Sequence, residues 1–222
     1  MTAIMRIVNH KTNMMQATRE TSAVAGTAGQ RARQKQDSLS RILDASAARL
    51  RVDGPQGGAI AQVMQDAGLT HGAFYSHFAS KDELAIAAFR HALAGNRQRW
   101  IGKVVDRSWG ERMARLARGY LNRSHRDVRA DSCAFSALAT DAARMPAGFR
   151  EAYEQELRKS LNAMGGSALD EPSEHETYDE AIAVLALLVG GLLLARAVKS
   201  ETFSSRILKV CRTAAARMGI AA

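Results

Sequence analysis

Between Gly68 and Leu84 the chain reads GLTHGAFYSHFASKDEL, and this segment concentrates side chains able to grip a polyanion. Thr70, His71, Tyr75, Ser76, His77 and Lys81 offer hydroxyl, imidazole and ammonium donors, the groups that bond phosphate oxygens and base edges. The spacing sorts them by face. Phe74 and Phe78 stand four apart and point inward, leaving His71, Ala73, Tyr75, Ser76 and His77 outside. Two local devices would hold this short helix. Gly68-Leu69 forms a turn, with Thr70 able to cap the helix start. Ser80-Lys81-Asp82-Glu83 forms a capping box that opens the next helix. A brief helix pinned between two capped turns, polar outward, is the build of a recognition helix in a helix-turn-helix.

Other candidate chemistry is thinner. His125, Asp127, Asp131 and Cys133 form one polar cluster, expected in a connecting loop where a solvated charge run is the plainer explanation. Asp170, Glu171, Glu174, His175 and Glu176 could hold a cation or simply solvate a loop. The chain has no phosphate loop, no Gly-x-Ser-x-Gly elbow and no His-Glu-x-x-His pair, so an enzyme is not expected. No cofactor or metal is implied. Cys133 and Cys211 provide neither a disulfide framework nor zinc spacing. Cys133 precedes a predicted helix and lies near Arg126 and Arg129, a setting that could lower its pKa and make it a thiol sensor. The competing reading is a small buried hydrophobe, and Cys211 reads as structural.

The elements that must position these groups are helical. Alanine and leucine dominate, aromatics make up 5%, and only three prolines occur in 222 residues. Apolar residues at 39, 42, 43, 47 and 50 mark one face of a first helix. Asp53 to Gly58 reads as a turn, then helices follow at Ala59–Asp66, Thr70–Phe78 and Lys81 towards Val105. Further helices are expected at Trp109–Asn122, Ala134–Arg144, Phe149–Met164, Tyr178–Val198 and Ser204–Met218, with a loop from Gly165 to Thr177. No period-2 strand is seen, so the fold is expected to be all-α. Residues 1–35 read as a flexible basic arm, or in part the product of an early start codon. Residues 36–84 would be the helix-turn-helix domain and 85–222 a helical effector-binding and dimerisation domain, joined by the long fourth helix.

Charge agrees with a nucleic-acid partner. The net charge is +9, and residues 1–100 hold 13 Lys+Arg against 7 Asp+Glu. Ala181 to Ala195 is uncharged but bounded by Glu180 and Arg196 and interrupted by Gly190-Gly191. A bilayer span wants about 20 apolar residues, so this run is expected in a protein interior or interface. No signal peptide is read in MTAIMRIVNHK, and a cytoplasmic protein without membrane partner is expected.

The span from Asp37 to Leu93, with Ser40 to Ala45, Ile60 to Ala67 and the segment above, resembles the DNA-binding domain of the TetR/AcrR family of bacterial transcriptional regulators. Cys133 to Arg144 and Gly190 to Val198 resemble, more weakly, parts of the ligand-binding and dimerisation domain in one branch of that family. The resemblance implies phosphate contacts by Thr70, Tyr75, His77 and Lys81, and base contacts by His71, Gly72, Ala73 and Ser76. Against this, Tyr75 and His77 could be ordinary surface residues, and Gly72 could only relieve crowding. One departure stands out. The family often starts its second helix with Ser or Thr, where this chain has Gly57-Gly58-Ala59.

The resemblance further implies a homodimer on a palindromic double-stranded operator, most simply a repressor released by a small-molecule effector. Leu185, Leu188, Gly191, Leu192, Ile207, Leu208, Cys211 and Ala215 are the expected dimer interface, although they could instead fill a monomer core. Trp100, Trp109, Met113, Phe135, Leu138, Phe149 and Tyr153 are candidates to line an effector pocket. The rival function is a nonspecific basic protein that coats DNA.

Overall fold

The computed structural model describes residues 29–55, 58–102, 108–165 and 176–218. Most of the arm, the expected continuation of the fourth helix beyond residue 102 and the acidic loop 166–175 lie outside the described residues. The chain divides into a unit ending at Arg41 and a larger unit, Ile42–Ala222. In the first, residues 29–41 are helical and largely exposed.

Helix α1 covers 29–55, starting ten residues before the apolar period begins. Its first turns are Gln, Arg and Lys, which favour helix without a buried face to announce them. The helix also runs past Asp53 into the expected turn, with Gly54 at φ 74. From residue 42 onward its inner face is Ile42, Ala47 and Leu50. Helices α2 (Ile60–Asp66), α3 (His71–Phe74) and α4 (Lys81–Trp100) complete the helix-turn-helix head. Arg49 on α1 holds Asp66 at the end of α2 at 2.5 Å and reaches Asp53 at 3.4 Å.

The body comprises α5 (Trp109–Tyr120), α6 (Arg123–Asp127), a 3-10 turn (Arg129–Asp131), α7 (Ala134–Ala142), α8 (Ala147–Gly165), α9 (Glu176–Ala197) and α10 (Glu201–Met218). No strand occurs among the described residues. Ser108 and Glu111 form a capping box that starts α5. The core gathers around Phe89 of α4, whose ring stacks on Tyr153 of α8 at 5.4 Å and meets Phe135 and Phe149 at 6.1 and 5.2 Å. Met113, Leu138, Leu188 and Leu192 close it from α5, α7 and α9.

Helix α9 is long and apolar enough to cross a membrane by length and composition alone. In the structure it packs into the body, burying Ala181, Val184, Leu188, Leu192 and Ala195. This bears on the expected interface. Leu188, Leu192, Leu208 and Ala215 are buried inside their own protomer, and Leu185, Ile207 and Cys211 pack against the same core. Gly191 likewise serves an internal contact: a Cβ there would lie 2.8 Å from the Cβ of Cys211 on α10. The apolar groups left outward on these two helices are Ile182, Leu194, Phe203 and Val210. Gly191→Ala must therefore push α9 and α10 apart. The expected cost is about 1–3 kcal/mol, read as a lower urea midpoint with unchanged slope.

Candidate nucleic-acid interface and effector cleft

Local geometry fixes the outward face of α3. Gly68 adopts φ 63, a left-handed conformation that suits glycine. Its N–H donates to the Gln65 carbonyl and the Leu69 N–H to the Met64 carbonyl, both at 2.9 Å. This pair of bonds closes α2 in a Schellman motif and turns the chain sharply into α3. Gly68→Ala would force a Cβ into the left-handed region. It is expected to cost about 1–2 kcal/mol, again visible in urea unfolding.

Helix α3 is a single turn rather than the expected span to Phe78, and Thr70 sits at its N-cap without a side-chain capping bond. Residues 75–77 continue as turns, with the N–H groups of His77 and Phe78 donating to the Phe74 carbonyl at 2.9 and 3.0 Å. Phe74 and Phe78 are buried and their rings lie 5.9 Å apart. Each buried ring contributes roughly 1.5–3 kcal/mol to holding the turn in place. At the far side, Ser80 Oγ accepts from the Glu83 N–H at 3.1 Å, opening α4 as read from the sequence. The Glu83 carboxylate accepts from Ala79 N–H at 2.7 Å, one residue earlier than a regular box.

Thr70, His71, Gly72, Tyr75 and Ser76 are exposed, while Ala73, His77 and Lys81 are half-buried. The Tyr75 ring meets His71 edge-on at 5.7 Å and Phe74 at 5.1 Å, so the phenol is held out from the surface. Ser76 Oγ donates to the Ala73 carbonyl at 2.7 Å, keeping its lone pairs outward. A Cβ on Gly72 would meet nothing within 4 Å. Gly72 therefore relieves no internal crowding. At the start of α2, Ala59 takes the N-cap position with no side-chain bond.

The seven pocket candidates do not share one site. A cleft of about 400 Å³ lies between α8 and α9, and of the candidates only Phe135 and Tyr153 line it. Trp100 and Phe135 border a separate void of about 30 Å³, room for one water. Met113, Leu138 and Phe149 are fully packed, and Trp109 lines neither cavity. The cleft's other walls are Leu157 and Leu161 of α8 and Tyr178, Ile182, Leu185 and Val189 of α9. Tyr153, Leu157 and Leu161 are spaced by four, a stripe the sequence displays. Arg158 and Glu154 pair at 2.8 Å at its edge. Burial pushes the Tyr153 phenol up to about 12.

The His125 cluster divides: Asp127 and Asp131 are exposed, as in a solvated charge run, while His125 and Cys133 are buried. His125 is buried; its Nδ1 lies 2.7 Å from the Tyr120 carbonyl and its Nε2 accepts from the Cys133 N–H at 2.9 Å. Asp127 pairs with Arg126 at 2.6 Å, and Asp131 forks onto Arg99 at 2.7 and 2.9 Å. Cys133 is also buried, and burial pushes its thiol up rather than down. That reverses the premise of a reactive thiolate, because desolvation outweighs the Tyr120 hydroxyl, the helix-start amides and the charge of Arg51.

Residues 42–88 match the sequence model of the bacterial regulatory proteins of the tetR family. No curated protein matches the chain by sequence. Among solved structures, the fold is similar to a TetR-family transcriptional regulator from Cytophaga hutchinsonii at 19% identity and TM-score 0.65, covering 83% of this chain and 96% of that one. A TetR regulator from Chloroflexus aurantiacus matches at 24% identity and TM-score 0.65, covering 83% and 95%. E. coli NemR in its reduced form matches at 18% and 0.65, covering 81% and 95%. The head matches the tetR-family sequence model over those residues, and the fold of the chain is similar to that of solved TetR-family regulators.

Proposed function

We propose that this protein is a cytoplasmic, homodimeric transcriptional regulator that occupies a palindromic operator and is released by a small-molecule effector. The observation that carries the reading is α3: one helical turn, braced by the Gly68 turn and the Ser80 cap, with His71, Gly72, Tyr75 and Ser76 outward. His71 and Ser76 would read base edges, and Ala73 would pack on a thymine methyl. Gly72 would let the backbone come close, while Thr70, Tyr75, His77 and Lys81 position the phosphates. Pairing would use the outward apolar groups Ile182, Leu194, Phe203 and Val210. Two-fold symmetry would then place two recognition helices in successive major grooves. The α8–α9 cleft is the effector site we favour, since it is mostly apolar and borders both Phe135 of the core and Ile182 of that pairing face. A ligand preferring one dimer shape would shift the spacing of the heads. No catalytic role is proposed for any residue.

Substitutions at α3 test this reading by fluorescence anisotropy on a selected duplex. His71→Ala is expected to lose about 1–3 kcal/mol of discrimination, roughly five- to 150-fold between operator and scrambled duplex. Lys81→Ala should weaken both duplexes alike and lower the salt slope by about one. Equal loss of both duplexes in His71→Ala would favour the nonspecific coating role that the charge of +9 allows.

A further inference from the structure

A third cavity, of about 440 Å³, lies where the end of α1 meets α7 and the end of α9. Three guanidinium groups border it: Arg51 of α1, Arg129 of the 3-10 turn and Arg196 of α9. Two of them are held without a carboxylate. Arg51 Nη1 donates to the Ala130 carbonyl at 2.6 Å, and its buried Nε has no partner among the described residues. Arg196 donates from Nε and Nη2 to the carbonyls of Arg126 and His125 at 3.0 and 2.7 Å. Burial works against the positive charge of both. Of the two lining carboxylates, Asp53 already faces Arg49 at 3.4 Å and the other is Asp141. Outside the lining, Asp131 and Asp127, which act on Arg51 and Arg196, are already paired with Arg99 and Arg126. A water occupies about 30 Å³ in the liquid, so the space exceeds a bare inorganic ion. Val52, Pro55 and Leu193 offer it an apolar wall.

We propose that this cleft binds a small organic anion, a carboxylate or phosphate ester with an apolar body, its acid group held by Arg51, Arg129 and Arg196. Arginine forks match both acid groups in a bidentate manner. The bound anion would supply the counter-charge that the backbone carbonyls do not. Because one wall belongs to α1 and the others to the body, occupancy would also tie the head to the body.

Calorimetric titration of the full-length protein with benzoate, phenyl phosphate and benzyl alcohol at low ionic strength tests this without operator DNA. Its outcome is thus independent of the proposed DNA-binding role. At least one anion should saturate in the millimolar range or below, and the uncharged alcohol should not. Saturation by benzoate alone would assign a carboxylate, and by phenyl phosphate alone a phosphate ester. Arg129→Gln, on an exposed side chain, should weaken binding at least fivefold. Asp141→Asn should tighten it at least twofold, a gain that unfolding cannot mimic. Arg158→Gln, at the α8–α9 cleft, should leave it unchanged. Saturation by none of the probes, equal binding of the alcohol, or indifference to Arg129→Gln would overturn the assignment.

Discussion

Arg97→Met is expected to destabilise the protein by about 3–5 kcal/mol. Glu156 on α8 is 1% exposed, and its carboxylate is held by Arg97 of α4 at 2.6 Å and Lys159 at 2.8 Å. Burial works against that charge, but the two cations outweigh it and hold the carboxyl below its usual range. Removing Arg97 leaves a buried carboxylate with a single, largely exposed partner, which is the costly way to break a buried pair. Lys159 softens the loss, so the lower end of the range is expected. The double variant Arg97→Met/Glu156→Leu should recover most of it, because two apolar groups of similar size need no counter-charge. Urea unfolding at pH 7 of the two single variants and the double variant reads the coupling directly. A loss under 1 kcal/mol for Arg97→Met would mean that solvent already screens the pair.

The second expectation concerns acid. Burial, aided by the charges of Arg196 and Arg99, lowers His125 from 6.5 to about 4 against the opposing bond to the Tyr120 carbonyl. The geometry gives the reason. With Nε2 accepting from the Cys133 N–H, the ring proton sits on Nδ1 facing Tyr120, and a second proton would confront an N–H. The unfolded chain therefore binds a proton between pH 6.5 and 4 that the folded protein excludes. The sign follows: the contribution is whole above about pH 6.5 and is lost progressively as pH falls towards 4. By linkage this amounts to roughly 3 kcal/mol. His125→Gln should be less stable at pH 7, and the stability difference between it and the parent should shrink as pH falls from 7 to 4. A difference that stays constant over that interval would contradict the buried neutral imidazole.

These two groups also mark where the sequence stops being readable. The head was legible because its signals are local. Phe74 and Phe78 at a spacing of four, Gly68 before the turn and Ser80 with Glu83 act through neighbours a few residues away. Even there, α3 proved a single turn, since Thr70 contributes no capping bond and the chain needs only one turn to bury two rings. In the body the governing partners are distant. His125 read as a loop residue because its burial depends on Trp100, 4.8 Å away on α4, and on the Cys133 amide. Glu156 carries no sign in the sequence that Arg97 will meet it. The face of α9 was unreadable for another reason. A helix apolar all round has no period to separate Leu188, which is buried, from Leu194, which is exposed. Of the effector candidates only Phe135 and Tyr153 line the α8–α9 cleft, since large apolar residues describe core and pocket equally.

The operator itself offers the most direct test. The protein would be mixed with random duplexes at near-physiological salt, and the bound fraction recovered and sequenced. A DNA-reading dimer predicts enrichment of a rough palindrome whose half-sites lie about 34–36 Å apart or a multiple of it, with the enrichment lost in His71→Ala. Binding without enrichment, or no binding by a folded dimer, would contradict it.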